Sequence, residues 1–163
     1  MKVVMLDVDG VLNSHAYSLE RNLADPNHER HGGFKLKDAR AWVGMLDKRA
    51  VVRLNKILSE TGAKIVISSS WRHAHPPERM QKILTLAGMV GEVIDQTPVM
   101  NGPRGHEIAS WLAAHPEAKR FVIFDDGSDA AEGGLDKWFI QTELAHGLQD
   151  EHVMRAIHIL GRK

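Results

Sequence analysis

The chain contains no cysteine. That excludes a disulfide framework and a thiol nucleophile, and it agrees with a reducing compartment. It also has no excess charge: Lys+Arg and Asp+Glu each number 21, for a formal net charge of +0. The simplest electrostatic basis for general nucleic-acid binding is therefore missing, which leaves room only for a local basic groove. No apolar stretch approaches the ~20 residues needed to cross a bilayer. Nor is there a signal-peptide pattern, because Lys2 precedes a short apolar run that soon meets Asp7. There is no internal repeat and no low-complexity segment. These absences lead us to expect a cytoplasmic protein without a membrane partner. A length of 163 residues suits one domain, 1–163, with a single core.

What is present is a strand-and-helix alternation. Five short apolar runs recur, at 3–6, 65–67, 93–94, 121–124 and 138–140. They are continuous rather than alternating, as parallel strands covered on both faces should be. Helical stripes lie between most of them: Val51, Leu54, Ile57 and Leu58, then Met80, Ile83, Leu84 and Ala87, then Ile108, Trp111 and Leu112. Val153, Ala156, Ile157 and Leu160 form the last. The expected fold is α/β, a doubly wound, Rossmann-like, five-stranded parallel sheet. Residues 13–48 break the alternation with no strand pattern, and they hold Pro26, Gly32, Gly33 and Gly44. Loops this long are uncommon in compact domains and are often functional lids. Trp42, Val43, Met45 and Leu46 argue that part of it packs.

The chemistry concentrates at strand ends. The first run delivers Asp7-Val8-Asp9-Gly10. Carboxylates at i and i+2 of an extended strand lie on one face. So close a pair pays repulsion and desolvation unless a cation or shared proton relieves it, and Mg²⁺ suits a site with few carboxylates. A plain polar turn would share the tetrapeptide. Ser68 and Asp125, however, also stand at ends of apolar runs. In doubly wound sheets those ends carry the ligand site. Arg104 follows Asn101-Gly102-Pro103 at a helix start. A cation there opposes the helix dipole, which makes sense if it faces carboxylates and phosphate. Arg72 offers a planar fork that can bind an anionic oxygen group of a substrate bidentately. The ten histidines suggest zinc, yet neither His28 with His31 nor His73 with His75 finds acids or cysteines at a zinc spacing. Contact of His15 or His31 with substrate is the better reading.

Four segments, in order, resemble the haloacid dehalogenase (HAD) superfamily, whose members are mostly phosphatases. Asp7-Val8-Asp9-Gly10-Val11 is similar to its first motif and Lys64-Ile65-Val66-Ile67-Ser68 to its second. Arg104 matches the basic third motif, and Phe121-Val122-Ile123-Phe124-Asp125-Asp126 the acidic fourth. The resemblance implies residues 13–48 as a small cap insertion after the first strand, Asp7 as nucleophile, forming an aspartyl-phosphate, and Asp9 as general acid and base. Ser68 would donate to a phosphate oxygen, with Ser69 able to take the role by a one-residue shift. Mg²⁺ would be held by Asp7, the Asp9 carbonyl and Asp126, with Asp125 beside it. The family's fourth motif often reads Gly-Asp with a further Asp four residues on. Here Asp125 takes the glycine position, Ala130 the later one, and Asp129 is the nearest acid, so the choice among Asp125, Asp126 and Asp129 stays open.

A narrower resemblance concerns Ser68-Ser69-Ser70-Trp71-Arg72, Thr97-Pro98, Arg104 through Trp111-Leu112 with Glu107-Ile108, and Gly147-Leu148. These are similar to the HAD domains of Swiss-Army-knife RNA-repair proteins. The implied partner is a phosphorylated small molecule or nucleic-acid end. Phosphotransfer to an acceptor other than water, and a non-catalytic binding module using the cap, are the rival readings. Retention of both Asp7 and Asp9 argues against a dead enzyme.

Overall fold

The computed structural model describes residues 1–24 and 39–162. Five strands form one all-parallel sheet: β1 (Lys2–Leu6), β2 (Lys64–Ile67), β3 (Val93–Gln96), β4 (Arg120–Asp125) and β5 (Phe139–Gln141). Their order is β3-β2-β1-β4-β5, so the chain winds outward on one side of β1 and then returns to the other. The carboxyl end of β1 is thus a topological switch point, the place where such sheets bind ligands.

Six α-helices are described: α1 (His15–Ala24), α2 (Ala39–Val43), α3 (Lys48–Thr61), α4 (Pro77–Leu86), α5 (Arg104–Ala114) and α6 (Asp150–Leu160). The four expected apolar stripes fall on α3, α4, α5 and α6. Successive strand residues alternate between two cores. Val4, Leu6, Ile65, Ile67, Val122 and Phe124 pack with α3, α4 and α6. Val3, Met5, Val66 and Ile123 pack with Ile108 and Trp111 of α5. Both faces are dry, which is why the strands read as unbroken apolar runs.

Within 13–48, α1 and α2 are helical, and residues 25–38 lie outside the described residues, with Pro26, His28, His31, Gly32 and Gly33 among them. Helix α1 buries none of its residues, and Leu19 and Leu23 stand exposed. It is tied down by polar contacts: Tyr17 Oη and Arg21 Nη1 donate to the Gly44 carbonyl at 3.0 and 2.7 Å. Trp42, Val43 and Met45 pack on the larger core, as their apolar character led us to expect.

Candidate active site

Three strands bring the acids together. Asp7 leaves β1, where its N–H donates to the Phe124 carbonyl of β4 at 3.0 Å. Asp125 ends β4, and Ser68 leaves β2 with its N–H on the Leu6 carbonyl, also at 3.0 Å. By strand alternation these three continue the Met5, Ile123 and Val66 row, the face covered by α5. Arg104 is the first residue of that helix, so its charge meets the acids across the end of the sheet.

Oxygens of Asp7, Asp125 and Asp126 lie within 4.8 Å of one another. Asp7 and Asp125 are only 6% and 5% exposed. Burial pushes the Asp7 carboxyl up from 3.8 to about 6, against a hydrogen bond from Ser69 and the Arg104 charge, which pull it down. Asp125 is pushed up to about 7, first by burial and then by the charge of Asp7. Such a pair keeps its protons to a higher pH than ordinary carboxyls do, unless a cation takes their place.

Gly10 allows the close approach of the fourth-motif acids. Its φ is +70°, and a Cβ there would stand 2.5 Å from Asp126 Cγ. Only glycine lets the first-motif turn and Asp126 share that space. Asp129 is not in the acid group. Its Oδ2 accepts the Arg104 N–H at 2.9 Å and so caps α5. Asp125 Oδ1 accepts the Gly127 N–H at 2.9 Å, whereas its Oδ2 is buried without a partner.

Other polar atoms here are also unmatched. Ser68 Oγ, Thr97 Oγ1 and Arg104 Nη1 are buried with no protein partner. Thr97 follows β3, with its N–H on the Ile67 carbonyl, so it stands next to Ser68 across the sheet. Buried polar groups are rarely left unpaired, and several at one strand-end row suit a ligand rich in oxygens and a cation. This donor and acceptor set fits Mg²⁺ and a phosphate.

The sequence-based sites fall into two groups. Asp7, Asp125, Asp126 and Arg104 come together, with Ser69 on Asp7 and Ser68 beside it. The Asp9 carboxylate lies outside the acid group and accepts from Trp71 Nε1 at 3.0 Å and Asn13 Nδ2 at 2.8 Å. Arg72 does not have the surroundings of a substrate fork. Nη1 donates to the Ser68 and Ser69 carbonyls at 2.7 and 2.8 Å, and Nη2 to Glu107 Oε2 at 2.5 Å. Only Nε is left, and the side chain is buried. Arg72 therefore braces the serine turn from within. Trp71, Asn13 and Glu107 were not singled out from the sequence as site residues. Glu107 had one signal, an acid one helical turn beyond Arg104 on the stripe side.

The model of the HAD domain in Swiss Army Knife RNA repair proteins matches residues 3–153. The chain belongs to this family. The match runs from β1 into α6, so it takes in all five strands and every residue of the site. No curated protein and no solved structure gives a significant match. Membership supports a hydrolase of the phosphatase kind within a generally Mg-dependent family. Among the described residues no helix is long and apolar enough to cross a membrane.

Proposed function

We propose that this domain is a Mg²⁺-dependent phosphomonoesterase acting on terminal phosphates of nucleic acid or nucleotides, through an aspartyl-phosphate on Asp7. The observation that carries the reading is the acid group Asp7, Asp125 and Asp126, the first two buried, faced by Arg104. Asp7, Asp125 and Asp126, with the Asp9 carbonyl, would hold the cation. Bound there, it supplies the charge neutralisation that lets an anionic carboxylate approach an anionic phosphate.

One Asp7 oxygen attacks phosphorus, the P–O bond to the alcohol breaks, and Asp9 gives its proton to the leaving oxygen. Asp9, now a carboxylate, takes a proton from water, whose oxygen attacks the aspartyl-phosphate and releases inorganic phosphate. Arg104 balances charge on the phosphoryl oxygens, and Ser68 Oγ or Ser69 Oγ donates to one of them. Residues 13–48 act as the cap that selects the alcohol.

The test is turnover of 3′- and 5′-phosphorylated oligonucleotides, mononucleotides and sugar phosphates with and without Mg²⁺. Acid quench and mass spectrometry should find phosphate on Asp7, and Asp7→Asn should abolish turnover because an amide cannot form the acyl-phosphate. Undiminished activity in Asp7→Asn overturns the mechanism. Transfer to an added alcohol in preference to water would favour the phosphotransferase reading instead.

A further inference from the structure

Asp9 is held from two sides by neutral donors. Trp71 Nε1 donates to Oδ2 at 3.0 Å and Asn13 Nδ2 to Oδ1 at 2.8 Å, while Asn13 Oδ1 accepts the Gly10 N–H at 3.0 Å. Asn13 is local to the first-motif loop, but Trp71 reaches across 62 positions of sequence. Its ring has little freedom. It is 7% exposed, and it meets Trp42 of α2 edge-on at 4.9 Å and His75 at 6.0 Å between ring centroids. Its backbone N–H donates to Ser69 Oγ at 3.3 Å, at the start of the short 3₁₀ turn Ser70–His73. Ser69 in turn holds Asp7. One turn after β2 thus addresses both first-motif acids, the first through a serine and the second through an indole.

A buried indole N–H seeks an acceptor, and many carbonyls would serve. Here the acceptor is a carboxylate, and the ring that carries the donor packs in a cluster of three, against Trp42 and His75, whose own centroids are 4.4 Å apart. We propose that Trp71 is the positioning residue of Asp9: its indole N–H, with the Asn13 amide, fixes the carboxylate orientation before substrate arrives. This rests on the phosphatase reading for what Asp9 does, though not for the contact itself. Orientation secured in advance removes a cost from the transition state, and small misplacements of a catalytic group are expensive. Trp71 touches no reacting atom, so its effect should fall on kcat rather than on KM.

The test uses Trp71→Phe, which keeps an aromatic ring against Trp42 and His75 while removing the N–H together with part of the indole. In the full-length protein with Mg²⁺ and a phosphorylated oligonucleotide, kcat should fall about 10–100-fold, the range for a lost hydrogen bond to a charged group, with KM hardly changed. In an Asp9→Asn background the same substitution should add almost nothing. An equal loss in both backgrounds, or a loss carried by KM, would mean packing rather than positioning and would overturn the proposal. A second readout needs no activity. The indole N–H resonance that disappears in Trp71→Phe should shift in Asp9→Asn, while those of Trp111 and Trp138 stay in place. An unmoved resonance removes the contact and the proposal with it. If that resonance moves but no phosphoester is hydrolysed by the wild type, the phosphatase reading fails, and Trp71's part in turnover fails with it.

Discussion

Arg72 and Glu107 form an ion pair whose side chains are 2% and 7% exposed, joining the turn after β2 to the first turn of α5. Glu107 Oε1 also accepts the Met100 N–H at 2.9 Å, and Oε2 lies 3.8 Å from Arg104 Nε. The pair therefore ties together the serine turn, the loop before α5 and the basic third-motif residue. On another side of α5, Gly105 allows close approach to the loop after β4: a Cβ there would stand 2.2 Å from the Glu132 carbonyl oxygen. Burial lowers the Arg72 guanidinium's affinity for its proton, and Glu107 opposes that.

Removing one partner should cost more than removing both. Glu107→Ala leaves the Arg72 guanidinium buried without its counter-charge, a loss of about 3–5 kcal/mol for pairs of this kind. Thermal unfolding of Glu107→Ala should show a much larger drop than Asp150→Ala, whose exposed partnership with Arg53 is of the kind worth little. Replacing both residues, as in Arg72→Met with Glu107→Leu, should recover part of the loss. A Glu107→Ala midpoint equal to that of Asp150→Ala would show that the pair does not hold the two motifs together.

The sheet was legible because both its faces are covered. Buried parallel strands produce unbroken apolar runs, and each run fell on a strand to within a few residues; Trp138, placed in the last run, belongs instead to the 3₁₀ turn Asp136–Trp138. Asp7, Ser68 and Asp125 were legible as polar residues ending such runs. Partnership was not. Arg72 looks like an exposed phosphate fork because an arginine after three serines carries no mark of the glutamate 35 positions away that captures it. Trp71 reads as core, and so it is, but one atom of its ring is spent on Asp9. Where Asp125, Asp126 and Asp129 point depends on the direction of a tight turn, which sets Asp126 against Gly10 and Asp129 on the Arg104 N–H.

The acid group should make the metal-free protein less stable as pH rises. Asp7 and Asp125 are raised to about 6 and about 7, whereas unfolded carboxyls titrate near 3.8. Between those values the folded state holds protons that the unfolded chain has released. This stabilisation is complete below about pH 4 and is lost as pH climbs through about 6–7. Asp125→Asn removes one of the charges, so its unfolding midpoint should gain on the wild type from pH 4 to pH 8 in chelator, at about 2–4 °C per kcal/mol for a chain of this size. Added Mg²⁺ should close the gap by stabilising the wild type. A constant difference across that pH range would show that Asp125 does not carry the raised proton affinity.

Metal affinity should separate two neighbouring acids. Asp126→Ala removes an oxygen from the acid group, whereas Asp129→Ala removes the cap on the Arg104 N–H. Calorimetric titration with Mg²⁺ should show binding strongly weakened in the first variant and nearly intact in the second. Asp129→Ala should instead lose about 1 kcal/mol of stability, as helix caps do. Gly10→Ala should resemble Asp126→Ala, because its Cβ displaces the Asp126 side chain. Loss of metal binding in Asp129→Ala alone would move the site one turn along the chain.

Substrate length should matter little. Residues 13–48 carry Arg21, Arg30, Lys35, Lys37, Arg40 and Lys48 against Glu20, Asp25, Glu29, Asp38 and Asp47, six bases to five acids. Several of these charges are already spent within the protein: Arg21 on the Gly44 carbonyl, Asp47 on the start of α3, Glu20 on Arg49. Affinity for a long polyanion grows with the number of phosphates neutralised, and a segment so balanced neutralises few. A 3′-phosphorylated dinucleotide should therefore compete for the site about as well as a 20-mer, and added salt should weaken both only slightly. Affinity that climbs with length and falls steeply with salt would reveal a basic track along the bound strand. Hydrolysis of free nucleotides or sugar phosphates with no turnover of any oligonucleotide would keep the phosphatase chemistry and reject a nucleic-acid end as its substrate.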